Sequence, residues 1–437
     1  MKDNNRQSRF GRRRFLSVTA GGIAGALVGS KASSWARVPG ANDRIRVGVI
    51  GGGNRASALI EEMAAFKAEE NFEFAALCDL WKVNRERTTA SLEKLTGDKV
   101  ISFPRYTDLL NDPNIDAVIV TTPDHAHTPI LIAACEAGKD AFCEKPMSMN
   151  IAEAREAVDT VKRTGRVVQI GTQRRSDGQY MAGAAFVQSG KMGKISVIEL
   201  KWNDGGPRWE RPYDDVKQNE VDWEGYLLHL PRRPFDPRRF RCWHLYRDYS
   251  IGVVGLLGAH HTDQVHWFMD DPWPESVTAT GGTLVWPDRE HYDTIHCSFK
   301  YPGGFLVFYE TRLGNSSMRA EAMFYGTNGT LDTKTWTMTG EGRVLAERLE
   351  PGNRQYPTSA FAMQEGAGAG EEIRIEPSPE ETSHMRNWIQ CIRSRKTPNA
   401  TVEHGYSHSL AAIMAHQAAD YGKRMVYDPQ RREIREG

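Results

Sequence analysis

The sequence predicts an α/β fold in two parts: a doubly wound parallel sheet towards the amino terminus, then an α+β unit built on a large, mainly antiparallel sheet. Three observations predict it. From about residue 41, short apolar runs alternate with helical segments, as in parallel βαβ units. The first run leads into Gly51, Gly53 and Ala56, spaced G-x-G-x-x-A, and then into helical composition. After about residue 190 the segments become longer, partly alternating strands with few helices between them, the texture of an antiparallel sheet.

The elements follow in order. Val47, Val49 and Ile50 form the apolar run of a strand buried on both faces. The glycines tolerate positive φ and let a pyrophosphate approach bare backbone. A helix over 57–67 aims free N–H groups and its positive dipole end at the same point, and Ala56 allows close helix–strand packing. The next strand, 74–78, ends at Asp79, 23 residues after Ala56, the place of the acid that binds ribose hydroxyls. Its charge repels a 2′-phosphate, which favours NAD over NADP. A strand at 115–120 ends at Thr121-Thr122-Pro123-Asp124-His125-Ala126-His127, and a helix follows over 129–137. A strand at 140–143 ends at Glu144-Lys145-Pro146, a helix covers 151–163, and a strand at 167–170 runs into Gly171-Thr172-Gln173-Arg174-Arg175. Ligands of parallel sheets lie beyond the carboxyl ends of the strands, and Gly51, Asp79, Thr122, Lys145 and Gln173 all fall there.

In the second part, strands are expected at 194–202, 276–280, 294–300, 305–311 and 320–325, and helices at 260–269, 381–393 and 405–423. The stretch 205–240 is rich in Pro, Arg and Trp and reads as a long loop, and 352–370 as another. The expected organisation is an export segment at 1–36, a nucleotide-binding domain at 37–165 and a substrate and oligomerisation domain at 166–437.

Lys+Arg and Asp+Glu are both 56, so formal net charge is zero, which argues against broad electrostatic binding to nucleic acid. No apolar stretch reaches 18 residues, so no integral membrane span is expected. Arg12-Arg13-Arg14-Phe15-Leu16 matches the core of a twin-arginine export signal, 18–29 is a mildly apolar small-residue stretch, and Ser34-Trp35-Ala36 suits cleavage. The bland alternative is a basic tail. Twin-arginine machinery carries folded proteins, so this reading predicts a nucleotide loaded before export and a periplasmic or extracellular location. The six cysteines form no C-x-x-C pair and are expected as buried free thiols.

Together these landmarks resemble the Gfo/Idh/MocA oxidoreductase family over roughly 44–430. Glu144-Lys145-Pro146 after a strand, about 90 residues beyond the glycine turn, is the most specific marker. Thr122-Pro123-Asp124-His125-Ala126-His127 resembles the family's T-P-N/D-x-x-H turn, and Gly258-Ala259-His260-His261-Thr262-Asp263 its G-x-H-x-x-D segment. The resemblance implies a Rossmann domain plus an open-faced sheet domain. It also implies NAD(P)-linked oxidation or reduction at a secondary alcohol of a sugar or cyclitol. The cofactor set it implies is Gly51, Gly53, Asn54, Arg55, Asp79, Thr122, Pro123, His127, Glu144 and Lys145.

Oxidising a secondary alcohol needs a hydride acceptor and a base. Lys145 is the candidate to hold the hydroxyl oxygen and stabilise developing negative charge, and His260 is the candidate base. Gln173, Arg174, Arg247 and Asp263 complete the expected substrate set, with salt-bridged surface arginine as the alternative for Arg174 and Arg247. His261 and His266 read as structural, and no metal is assigned to His260, Asp263 and His266. Related dehydrogenases often carry an Asp four residues before the site histidine. Leu256 stands there, so Asp263 is the alternative group to orient His260. The leading expectation is an exported NAD-dependent oxidoreductase. The alternatives are an NAD-dependent glycosidase working through transient sugar oxidation, and a non-catalytic sugar-binding protein. A homodimer or homotetramer is expected from an exposed sheet face.

Overall fold

The computed structural model describes residues 43–341 and 370–437. The export segment expected at 1–36, and all but the end of the loop expected at 352–370, lie outside the described residues.

Six short strands make one parallel sheet: β1 (Ile45–Ile50), β2 (Phe72–Cys78), β3 (Ile101–Phe103), β4 (Ala117–Val120), β5 (Asp140–Cys143) and β6 (Val168–Ile170), in the order β3-β2-β1-β4-β5-β6. The chain builds outward from β1 to β3, then crosses back to lay β4 on the other side of β1. That reversal opens a crevice at the carboxyl ends of β1 and β4. Val47, Val49, Ala117 and Ile119 are buried, as strands covered on both faces require. Much of one cover comes from the far end of the chain: Met385, Trp388 and Ile389 of the helix His384–Ser394 pack into the same apolar cluster as β1 and β2.

Some boundaries differ from the sequence reading. The parallel sheet continues through β6 to Ile170, past the division expected at residue 165. The first helix is Asn54–Ala64, beginning directly behind Gly53. The helix after β4 is Asp124–Glu136, with Pro123 at its cap and Pro129 inside it. Its start at Asp124 brings the first helical turn to the crevice, where His125 and His127 are buried.

Among the described residues the second sheet has ten strands: β7 (Ile195–Trp202), β8 (Ser276–Gly282), β9 (Thr294–Lys300), β10 (Leu306–Arg312), β11 (Ala320–Gly326), β12 (Gly329–Asp332), β13 (Thr337–Gly340), β14 (Glu372–Arg374), β15 (Met425–Asp428) and β16 (Glu433–Glu436). Their order is β14-β13-β12-β11-β7-β10-β9-β8-β15-β16. Among the described residues only β7 and β10 of this sheet pair in parallel. Alternate residues such as Ile198, Leu200, Phe299, Val307 and Phe324 are buried with residues of the helices Ala259–Phe268 and Val402–Tyr421. The intervening positions face away, and Leu306 and Phe308 remain exposed there.

Between β7 and the helix Ala259–Phe268, the stretch expected as one loop is a compact insert. It holds the short helices Trp223–Leu227 and Pro237–Arg241 and its own aromatic cluster, in which Trp223, Tyr226, Leu245 and Tyr249 are buried. Trp81, Val216 and Val221 form a second cluster, and an antiparallel bridge joins Trp81 to Val221. The insert is thereby fastened to the parallel sheet just after β2. All six cysteines are buried and free.

Candidate active site

The glycine turn closes β1 against β4. Gly51 has φ +96°, and a Cβ there would lie 3.0 Å from the carbonyl of Thr121 and the nitrogen of Thr122, so only glycine fits. Thr121 Oγ1 donates to the Gly51 carbonyl at 2.7 Å, fixing the two strand ends together. A Cβ on Gly53 would meet nothing within 4 Å, because this residue faces the open crevice. Asp79 folds back onto the turn: its carboxylate accepts from Gly52 N at 2.8 Å, Trp81 N at 2.8 Å and Asn84 Nδ2 at 3.2 Å. Burial raises its pKa, and the N–H groups of Trp81 and Gly52 draw it back down.

A cavity runs from this turn. Gly51, Gly53, Asn54, Asp79, Thr122 and Pro123 line it from the sheet, and Arg211, Tyr226, Phe240, Arg241 and Trp243 line it from the insert. The open position beside Gly53, the acid after β2 and the buried, unpartnered Thr122 Oγ1 fit a dinucleotide whose pyrophosphate crosses the glycine turn. The adenosine end would lie under the insert, where the Arg241 guanidinium sits 5.0 Å over the Trp81 ring.

A second cavity shares Thr122 with the first. Its walls include Arg55, Asp124, Glu144, Lys145, Gln173, Trp202, Leu256 and His260. Glu144 is a buried anchor: one oxygen takes the Arg55 Nε and the other accepts the Lys145 backbone N–H at 3.0 Å. Lys145 Nζ donates to the Leu256 carbonyl. Leu256 lies in a π-helical turn, Val254–Gly258. Where the resemblance leads one to expect an Asp beside the histidine, the chain supplies a backbone acceptor to the lysine instead. Burial lowers the Lys145 pKa, while Glu144 and Asp124 hold it up. Asp124 accepts from Ser250 Oγ at 3.0 Å and Ile251 N at 3.3 Å, and burial raises it to about 7 against the pull of Lys145. His260 stacks on Trp202, 5.9 Å between ring centres, with a buried and unpartnered Nδ1. Burial and the cations Lys145 and Arg174 hold it neutral.

Other expected residues stand elsewhere. Asp263 is a buried partner of Arg175, with both carboxylate oxygens within 3.0 Å of Nε, so it does not orient His260 or line the cavity. Its spacing fits a turn of helix, but a neighbouring cation claims it. Arg247 is bound by Asp420, Glu290 and His416 and lies outside the cavity lining. Arg174 likewise does not line the cavity. It covers Tyr180 and Trp202 and donates to the His260 carbonyl at 3.4 Å. His127 reaches the cavity edge, but its ring nitrogens sit on the carbonyls of Pro146 and Thr122, both at 2.8 Å, so it braces the two strand-end turns. His266 bonds Tyr301, and the three residues His260, Asp263 and His266 do not converge. Sequence reasoning missed Trp202, Arg208, Trp209, Trp243 and His244 as cavity walls. The only available signal for four of them was the aromatic and basic richness of the insert.

Two stretches match known families: residues 45–172 match the oxidoreductase family with NAD-binding Rossmann fold, and residues 229–332 match the GFO/IDH/MocA C-terminal domain. The scyllo-inositol 2-dehydrogenase (NAD(+)) of Bacillus subtilis is 40% identical over 301 residues, 67% of this chain and 72% of the relative. The myo-inositol 2-dehydrogenase of Thermotoga maritima is 29% identical over 196 residues, 45% of this chain and 54% of the relative. The chain thus spans about half the length of several inositol dehydrogenases it matches. Among solved structures, the aldose-aldose oxidoreductase of Caulobacter crescentus complexed with glycerol superimposes with TM-score 0.63 at 18% identity, covering 88% of this chain and 99% of that one. The WlbA dehydrogenase of Bordetella pertussis, in complex with NADH and UDP-GlcNAcA, gives 0.63 at 18%, covering 88% and 98%. Both show a shared fold.

Proposed function

Since the chain belongs to the Gfo/Idh/MocA oxidoreductase family, with its NAD-binding Rossmann fold, we propose that it is an exported enzyme that oxidises or reduces a secondary alcohol of a sugar, glycoside or cyclitol. The observation that carries this reading is the convergence of Lys145 and His260 on one cavity that meets the glycine-turn cavity at Thr122. Bound nicotinamide supplies the hydride acceptor. Lys145, with one proton committed to the Leu256 carbonyl, keeps others for the substrate oxygen and stabilises negative charge there as hydride departs. Neutral His260 has a lone pair for the hydroxyl proton. The stacked Trp202 gives that imidazole a fixed plane.

The inositol dehydrogenases among the relatives support a polyol substrate. The insert over the adenosine end supports a nucleotide that stays bound, which suits a protein working where no free NAD pool exists. That same cover favours a second reading, glycoside cleavage in which the sugar is oxidised and then reduced again. The experiment is mass spectrometry of nucleotide released from natively purified protein, followed by a panel of cyclitols, sugars and glycosides. Net reduction of nucleotide supports the dehydrogenase, aglycone release without it supports the glycosidase, and binding with neither leaves a sugar-binding protein. Export is tested by changing Arg12 and Arg13 to lysine: the precursor should accumulate inside the cell, and unchanged export would exclude the twin-arginine route. The exposed sheet face around Leu306 and Phe308 supports self-association, read by analytical ultracentrifugation.

A further inference from the structure

The insert contributes a wall to the reaction cavity, and one of its residues has chemistry not yet used. His244 lies in the short turn Trp243–Leu245 and lines the same cavity as Lys145 and His260. Its ring stacks with two indoles: Trp209 at 5.4 Å and 3° between planes, Trp243 at 3.6 Å and 17°. The residue is 8% exposed, its Nδ1 is buried without a partner, and no described group hydrogen-bonds the ring. His127, at the edge of the same cavity, by contrast has backbone carbonyls of Pro146 and Thr122 2.8 Å from its ring nitrogens, so its one N–H has an acceptor. Native structures rarely leave a buried polar atom unpaired. A rigidly stacked imidazole left so at a cavity wall is arranged for a group that arrives with the ligand.

The neighbouring charges say which kind of group. Arg211, Lys145 and Arg208 surround His244 at longer range and, with burial, keep the ring uncharged. A neutral imidazole presents one N–H and one lone pair, and a hydroxyl answers either. Carboxylate or phosphate would be drawn to the cations instead. We infer that His244 is a specificity-determining, substrate-binding residue: it hydrogen-bonds a hydroxyl other than the one held at Lys145, and so sets which carbon is presented for hydride transfer. This rests on the oxidoreductase reading of the cavity. Stacking with Trp209 and Trp243 fixes the plane of the ring, so the partner hydroxyl must come to a defined point rather than the side chain following it.

The test uses NAD-loaded full-length protein with myo-inositol, methyl β-D-glucopyranoside and the monodeoxy analogues of that glucoside. Binding is read by calorimetry, and kcat and KM as the limiting rate and half-saturation of the single burst of nucleotide reduction, followed by absorbance. In the wild type, removing the hydroxyl that meets His244 should cost affinity strongly, because a polar site is left unpaired. His244→Phe keeps a stacked ring and removes both nitrogens. It should raise the KM or Kd of the parent polyol by about tenfold or more, leave kcat and nucleotide affinity nearly unchanged, and abolish discrimination at one deoxy position only. His244→Gln should restore part of that discrimination. Wild-type affinity and unchanged discrimination in His244→Phe would overturn the assignment. So would an equal loss for every analogue together with a lowered melting temperature, the mark of a packing role. If the wild-type protein retains NAD but neither binds nor turns over any of these polyols, the oxidoreductase reading fails and this assignment fails with it.

Discussion

Lys145 lines the second cavity and is held there by two fixed contacts. Glu144 holds its backbone N–H, and the Leu256 carbonyl holds its ammonium. Lys145→Ala should lower kcat by about 10² to 10³ while nucleotide affinity stays, since the glycine turn and Asp79 lie on other strands. Turnover on an identified substrate, alongside calorimetry of nucleotide binding, checks this, and joint loss of both would make the lysine a cofactor residue. Asp79 differs because its carboxylate also fastens the turn through Gly52 N. Asp79→Ala should weaken NAD at least about tenfold, the scale of lost charge-assisted hydrogen bonds, and narrow the preference of NAD over NADP. Stronger NADP than NAD binding by the unaltered protein would exclude the assignment. Both residues were legible in the sequence because a strand end fixes their position. Asp263 and Arg247 were not: sequence spacing cannot show that Arg175 and Asp420 compete for them.

The insert is the element that sets the two cavities apart from a bare parallel-sheet crevice. Its residues follow neither a helical nor a strand period, so sequence pattern gives only an aromatic-rich loop. Its order comes instead from ring-on-ring burial around Trp223, Tyr226 and Tyr249 and from the grip of Trp81 on Val221. Phe240 packs edge-on against both Trp81 and Tyr226 and also lines the nucleotide cavity. Phe240→Ala should loosen this cover and speed NAD dissociation by about tenfold or more, the scale of losing one aromatic contact. The parallel sheet, whose core lies elsewhere, should keep its melting behaviour. Stopped-flow displacement of the nucleotide measures the rate, and an unchanged value would remove the insert from cofactor retention.

At the scale of the molecule, the alternation of strand and helix made the first sheet legible. The change of texture after residue 190 made the second legible too. The lateral order of ten strands was not, because pairing partners far apart in sequence leave no local mark. The buried histidines have a collective effect. Burial pushes His125 and His384 down to about 4 and His291, His404 and His408 down to about 3, from an unfolded value near 6.5. Groups depressed in this way stabilise the fold above pH 6.5, and that stability is lost as pH falls towards the folded values, each by about 1.4 kcal/mol per pH unit. Asp124, raised to about 7, acts in the opposite direction between about pH 7 and 4, as do the raised carboxyls of Asp79, Glu153, Asp263 and Asp271, but the depressed histidines, which also include His127, His244, His260, His261, His266 and His416, outnumber them. The melting temperature should therefore be nearly flat between about pH 7 and 8 and fall by at least about 10 °C between about pH 6.5 and 5. A flat calorimetric profile down to about pH 5 would show that these rings titrate freely.

A nucleotide held under the insert would also have an arithmetical consequence. A chain that cannot exchange its nucleotide holds a stock of one hydride acceptor, and no supply from outside renews it. Offered a single oxidisable polyol, such a protein would give a burst equal to the number of chains and then stop. Only a second carbonyl compound taking the hydride back would restart it. The geometry of one insert would thus turn a dehydrogenase fold into a device that moves reducing equivalents between two partners in turn, with its output set by whichever partner is scarcer.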